Sequence, residues 1–211
     1  MSRRLVNLTL DNLDDLSARC RGCVFWELDP IGGERASAAG ATDLEKEAWL
    51  SDTLLEWGSC GQILYVDGMP AGHALYAPAA YVPRATAFPT SPISPDAILL
   101  MTARVAPQFA GGGLGRMLLQ GVARDVTRRG IRAIEAFGRA ADGQDADKDD
   151  ARNCLLPADF LLAVGFKTVR QHPRTPRLRL DVKSLVSWRE DVEYALERLL
   201  GSMQVPSLSR G

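Results

Sequence analysis

The 211-residue chain has two histidines, four cysteines and no long apolar run, and each scarcity removes a class of function. His73 and His172 stand alone, and Cys20, Cys23, Cys60 and Cys154 are too few and too scattered to frame a disulfide-stapled domain, so reduced thiols are expected. Cys20 and Cys23 form a CxxC. No second CxxC or HxxxH completes a four-ligand site, so no metal is expected, and a zinc or redox role for the pair is left to metal analysis. Charge of one sign is also lacking. With 25 basic and 26 acidic residues the net charge is -1, which gives no chain-wide field to attract nucleic acid or an anionic membrane. No segment approaches the roughly 20 apolar residues of a membrane span, and the stretch after Met1 has no signal-peptide core, so a cytoplasmic protein is expected.

What the chain does have is a knot of glycine. In "VAPQFAGGGLGRMLLQGVARDVTRRG", starting at Val105, Gly111, Gly112, Gly113 and Gly115 stand directly before a helical pattern in which Leu114, Leu118, Val122 and Val126 share a stripe. Ahead of it, "AILLMTARV" is a nearly continuous apolar run, as in a central strand buried on both faces. "IRAIEAF" follows as a second strand, parallel to the first because a helix links them. Upstream, Asp67-Gly68 marks a hairpin, Thr42 and Glu45 form a capping box, and a helix is expected from Asp11 to about Trp26. "IGGERASAAG" reads as a loop, and so does the proline-rich stretch after Tyr81. Downstream come an acidic loop with Asp142, Asp145, Asp147, Asp149 and Asp150, a short helix in "LPADFLLAVGF", and strands in "KTVRQ" and "RLRLDV". From Ser187 an amphipathic helix presents an apolar stripe that its own domain or a second copy in a homodimer must cover. The pattern gives one domain over 1–182 and a C-terminal helix and tail over 183–211.

Glycines at a helix N-terminus let a phosphate approach unpaired backbone N–H groups in the positive end of the helix dipole. A P-loop is excluded because Gly115 is followed by Arg116 and Met117 rather than Lys-Ser/Thr. A dinucleotide fingerprint has different glycine spacing, and an antiparallel hairpin precedes where a βαβ unit should begin.

The stretch from Val105 to Val122 resembles motif A of the GCN5-related N-acetyltransferases. Val105, Pro107, Gly113, Gly115, Arg116 and Leu118 match, the hairpin "YVDGMPAGHALY" and the late "FLLAVGFKTV" follow in the family's order, and the likeness runs from about Arg4 to Val182. The resemblance implies an α/β (α+β) fold: a mixed, mostly antiparallel sheet with a splayed parallel strand pair and helices on both faces. It implies acetyl-CoA as cosubstrate, held by Ala103, Val105, Gly111, Gly112, Gly113, Leu114, Gly115 and Arg116, with the Val105 N–H on the thioester oxygen. It implies acetyl transfer to a primary amine of a small molecule or protein. Two positions depart from the family: Ala110 replaces the usual Arg or Gln, and Leu161 replaces the tyrosine that protonates the departing thiolate.

No catalytic acid or base carries over, so the candidates come from the residues. Glu135, alone in an apolar strand, is the first choice for a general base; Cys154 stands near the position of the lost proton donor. Glu27, beside Trp26, suits an ammonium ion. Without such a group, the same fold can serve as a non-catalytic acyl-CoA sensor or interaction module.

Overall fold

A computed structural model describes residues 2–140 and 154–183 of the chain. The acidic loop and the helix expected from Ser187 lie outside the described residues. One sheet organises the rest. Strand β1 (Arg3–Asn7) pairs with β2 (Gly61–Val66), β2 with β3 (Met69–Ala77), and β3 with β4 (Ala97–Val105), each antiparallel. The turn at Asp67 and Gly68 has φ of +49° and +83°, as the tight hairpin between β2 and β3 requires. Beyond β4 come β5 (Ala133–Arg139), β8 (Arg177–Asp181) and β7 (Lys167–Arg170), while β6 (Leu156–Pro157) pairs with β5 off this path.

The pairing of β4 with β5 is the sheet's one parallel junction on the main path, and it is short. It runs from Ala97 opposite Ala133 to Leu99 opposite Glu135, after which the strands part although both continue. The other edge of β5 stays bound to β8 and to the chain before it, with Gly138 N–H donating to Pro176 O (2.8 Å) and Ala140 N–H to Arg174 O (3.1 Å). Leu156 and Pro157 therefore take the edge that β4 vacates, opposite Gly138 and Arg139. A wedge opens between β4 and β5.

A bulge re-aims β4 as it enters this wedge. Leu75 pairs with Thr102 and Tyr76 with Leu100, so Met101 is the extra residue. Before it, Ile98 and Leu100 face one core while Leu99 and Met101 face the other; after it, Ala103 and Val105 take the first face. Thr102 and Arg104 are thereby turned to the second.

Helices cover both faces. On the first, α4 (Leu114–Arg128) buries the expected stripe of Leu114, Leu118, Val122 and Val126, joined by α5 (Ala158–Ala163) through Leu161. On the second, α3 (Thr42–Glu56) buries Trp49 and Leu50 against Leu75 and Leu99. Three expectations are corrected here. The helix expected from Asp11 to Trp26 is a 3-10 turn at Leu10–Asp15, then a single turn α1 (Ala18–Arg21), because Leu16 is extended (φ -64°, ψ 152°) between them. The stretch read as a loop contains helix α2 (Pro30–Ala38), started by Asp29, whose side chain accepts from the Ile31 and Gly32 N–H groups with Pro30 in the first turn. Thr42 opens α3 rather than capping it, the cap position being Ala41.

Candidate active site

The glycine loop leaves β4 at Val105 and makes one 3-10 turn, Pro107–Phe109, before the chain enters α4. Gly111 (φ +83°) and Gly113 (φ +73°) are both left-handed, and Gly113 is the cap of the helix. A Cβ at either position would meet nothing within 4 Å. The loop thus needs glycine for its backbone angles, while open space remains outside it for a ligand. Met117 N–H makes the first bond back, to Gly113 O at 3.1 Å. The amides of Leu114, Gly115 and Arg116 precede it in the first turn and have no partner within the helix. Gly112 is braced from β1, where Arg3 Nη1 donates to its carbonyl at 3.3 Å. Gly115 has a different role: its Cβ would sit 3.4 Å from Phe160, so it permits α4 to pack beside α5. Ala103 and Val105 pack beneath the loop against the same core as α4.

On the opposite face of β4 lies a cavity lined by Cys20, Cys23, Trp26, Glu27, Lys46, Thr102, Arg104 and Cys154. The segment between α1 and α2 forms its wall, fixed where Trp26 Nε1–H donates to Cys154 O at 3.3 Å and the indole stacks on Phe88 and Phe137. Glu27 and Lys46 are each 3% exposed and form a buried ion pair through Glu27 Oε1. Among the described residues, Glu27 Oε2 has no hydrogen-bond partner. A buried carboxylate oxygen without a donor is costly unless something in the cavity supplies one. His73, opposite Arg104 on β3, is likewise buried with Nε2 unpartnered; burial and the neighbouring Arg104 and Lys46 lower its pKa to about 4.

Cys23 and Cys154 meet here, Sγ to Sγ at 3.5 Å. The hydrogen bond between them lowers the pKa of the Cys23 thiol and, with burial, raises that of Cys154. Among the described residues, no group of three or more metal-ligating side chains could hold a metal ion.

Glu135 is not brought to this cavity. It is fully buried on β5, where Oε2 accepts from Arg177 Nη1 (2.5 Å) and the Ser94 N–H (3.2 Å), and Oε1 from Arg179 Nη1 (3.3 Å). Arg179 also grips Asp96 with two bonds of 2.9 Å. The carboxylate is a brace that ties β5, β8 and the proline-rich connection together. Tyr76 is buried in the α4 core, donating to Asp125 at 2.8 Å, and Leu161 lies fully buried in the same core. Of the three catalytic candidates from the sequence, the structure joins Glu27 and Cys154 in one cavity and leaves Glu135 out of it. The sequence reading missed Lys46, Thr102 and Arg104. Lys46 carries the one legible signal, a charged residue on the buried stripe of α3.

No family model and no curated protein sequence matches the chain. Its structure is similar to solved acetyltransferases. The PaiA N-acetyltransferase of Thermoplasma acidophilum, solved in complex with coenzyme A, matches with a TM-score of 0.55 at 12% identity, over 86% of this chain and 99% of its own. The loading GNATL domain of CurA from Lyngbya majuscula gives 0.55 at 12% identity, over 87% and 100%. An N-acetyltransferase of Staphylococcus aureus Mu50 gives 0.52 at 14% identity, over 86% and 99%. The chain has the fold of the GCN5-related N-acetyltransferases: a mixed, mostly antiparallel sheet with one splayed parallel pair and helices on both faces.

Proposed function

We propose that the protein is an acetyl-CoA-dependent N-acetyltransferase acting on a primary amine. The observation that carries the reading is the wedge at the end of the β4–β5 pairing, opened beside the Met101 bulge and followed by a loop with two left-handed glycines at the start of a 15-residue helix. These residues fit acetyl-CoA: the first-turn amides and Arg116 would hold the pyrophosphate, and the vacated edge of β4 near Ala103 and Val105 would run beside the pantetheine arm. Acetyl-CoA supplies an activated thioester carbonyl.

The acceptor belongs in the cavity on the other face. Glu27 Oε2, buried and without a donor, would take a hydrogen from the acceptor's ammonium group, and Trp26 beside it adds an aromatic face. Glu27 is therefore the proposed base, with Lys46 fixing its other oxygen. Glu135, held by Arg177, Arg179 and the Ser94 N–H, is not the proposed base. Cys154 is the proposed hydrogen-bond donor to Cys23, and the departing thiolate takes its proton from water.

Calorimetry with CoA, followed by thiol release from acetyl-CoA over an amine panel, tests this. CoA binding with turnover on any amine supports the enzyme. CoA binding without turnover favours the non-catalytic acyl-CoA sensor, which the buried Leu161 in the tyrosine position keeps open. No CoA binding at millimolar concentration sinks both.

A further inference from the structure

Direct transfer from acetyl-CoA to an amine leaves the pair of cysteines in the cavity without a task. We infer that Cys23 is an acyl carrier: its sulfur takes the acetyl group from acetyl-CoA and then yields it to the amine. The inference rests on the acyltransferase reading above.

Position is the first ground. Cys154 comes two residues before β6, which lies along the edge of β5 that β4 vacates, so the sulfur pair sits beside the wedge proposed for the thioester. Cys23, Thr102 and Glu27 line one cavity, which puts the sulfur, the re-aimed residue after the bulge and the acceptor's carboxylate around the same space.

Reactivity is the second. A thiolate, not a thiol, attacks a carbonyl carbon. Cys23 lies 3.5 Å from the Cys154 sulfur, and the hydrogen bond between them, the Phe25 N–H and Lys46 all favour its thiolate, while burial and Glu27 oppose it; the net direction is downward. Cys60 is the contrast: its burial outweighs Arg129 and a backbone hydrogen bond, and its thiol is pushed up to about 12.

The steps balance. Cys23 Sγ attacks the acetyl carbonyl carbon, a new C–S bond forms, and the bond to the CoA sulfur breaks with its electron pair, giving a CoA thiolate that is protonated by water. The acceptor ammonium gives a proton through Glu27 Oε2 to solvent, and the free amine attacks the Cys23 thioester. The C–S bond to Cys23 breaks, the pair returns to Sγ, and the second amine proton leaves by the same route. Nothing is oxidised or reduced. The CoA thiolate takes its proton from water, as in direct transfer, and the Cys23 thiolate released in the second step is held by its contact with Cys154, so that step needs no acid at the position of Leu161.

The full chain incubated with acetyl-CoA and no acceptor, quenched in acid and digested, tests the step by mass spectrometry. An acetyl increment on the Cys23 peptide that neutral hydroxylamine removes is expected, with parallel lines in double-reciprocal kinetics. Cys23→Ala and Cys23→Ser should both lose the label and at least about 10²-fold in turnover while melting as the parent does. Cys154→Ala should move the iodoacetamide reactivity of Cys23 up by about one pH unit or more, which a merely structural contact would not do. Turnover that continues with no label on Cys23 and with intersecting lines overturns the covalent step and leaves the acyltransferase reading standing. Absence of CoA binding overturns both.

Discussion

Replacing Glu135 by Gln separates a brace from a base. Glu135 accepts three hydrogen bonds, two of them from arginines. The amide keeps one acceptor oxygen, turns an N–H₂ toward a guanidinium, and removes the negative charge between Arg177 and Arg179. Arg179 retains Asp96 and Asp181, so most of the loss falls on Arg177, whose Nη1 keeps, among the described residues, only the distant Ser94 hydroxyl at 3.4 Å and whose Nε is buried with no partner among them. Breaking a buried pair from one side costs about 3–5 kcal/mol, and the surviving partners of Arg179 place this change at the lower end, about 3 kcal/mol. For a chain of this size that is a fall in Tm of about 6–12 °C. Thermal melting and turnover are measured on the same preparation. Below the transition, turnover should change by less than about 3-fold, against the 10²-fold or more that loss of a general base brings. An unchanged Tm together with a loss of about 10² in turnover would refute the brace and make Glu135 the base.

Gly113→Val places a β-branched residue at φ +73°; it should cost about 1–2 kcal/mol in stability and weaken CoA at least about 10-fold by calorimetry, since the loop can no longer present its amides. Gly72→Ala should destabilise by about 1–3 kcal/mol in urea titration, because the new Cβ would sit 2.5 Å from Arg104 O and 3.2 Å from Val105 Cα, both backbone atoms of β4. His73 binds its proton in the unfolded chain near pH 6.5 but in the folded one only near 4. The folded state is therefore favoured in full above about pH 6.5, and about 3 kcal/mol is lost as pH falls toward 4; His73→Gln should flatten that part of the stability–pH curve.

The glycine loop and its helix were legible because their signals are local. Left-handed angles demand glycine at Gly111 and Gly113, and a 3.6-residue stripe announces α4 without reference to anything distant. The parallel pair was legible too, since a single helix between two apolar strands leaves few topologies. Helix α2 was not, because Gly32 and Gly33 argue against it and its stability comes from the Asp29 cap and Pro30 rather than from an apolar stripe. The Asp11–Trp26 segment misled in the opposite sense: Leu13, Leu16 and Trp26 are all buried, but in a folded-back chain rather than along one helix.

The cavity proposed for the acceptor depended on tertiary structure throughout. Glu27 meets Lys46 across 19 positions and Cys23 meets Cys154 across 131, and no spacing rule links such pairs. The Met101 bulge, which turns Thr102 and Arg104 toward that cavity, is fixed by the register of β3 on β4 and leaves no mark in "AILLMTARV". Glu135 shows the same division. Its sequence identifies a lone acid in an apolar strand, a residue that must be either reactive or paired, because an isolated buried charge is too costly to keep. Only the packing of β8 against β5 shows that it is paired, by bringing Arg177 and Arg179 to its oxygens.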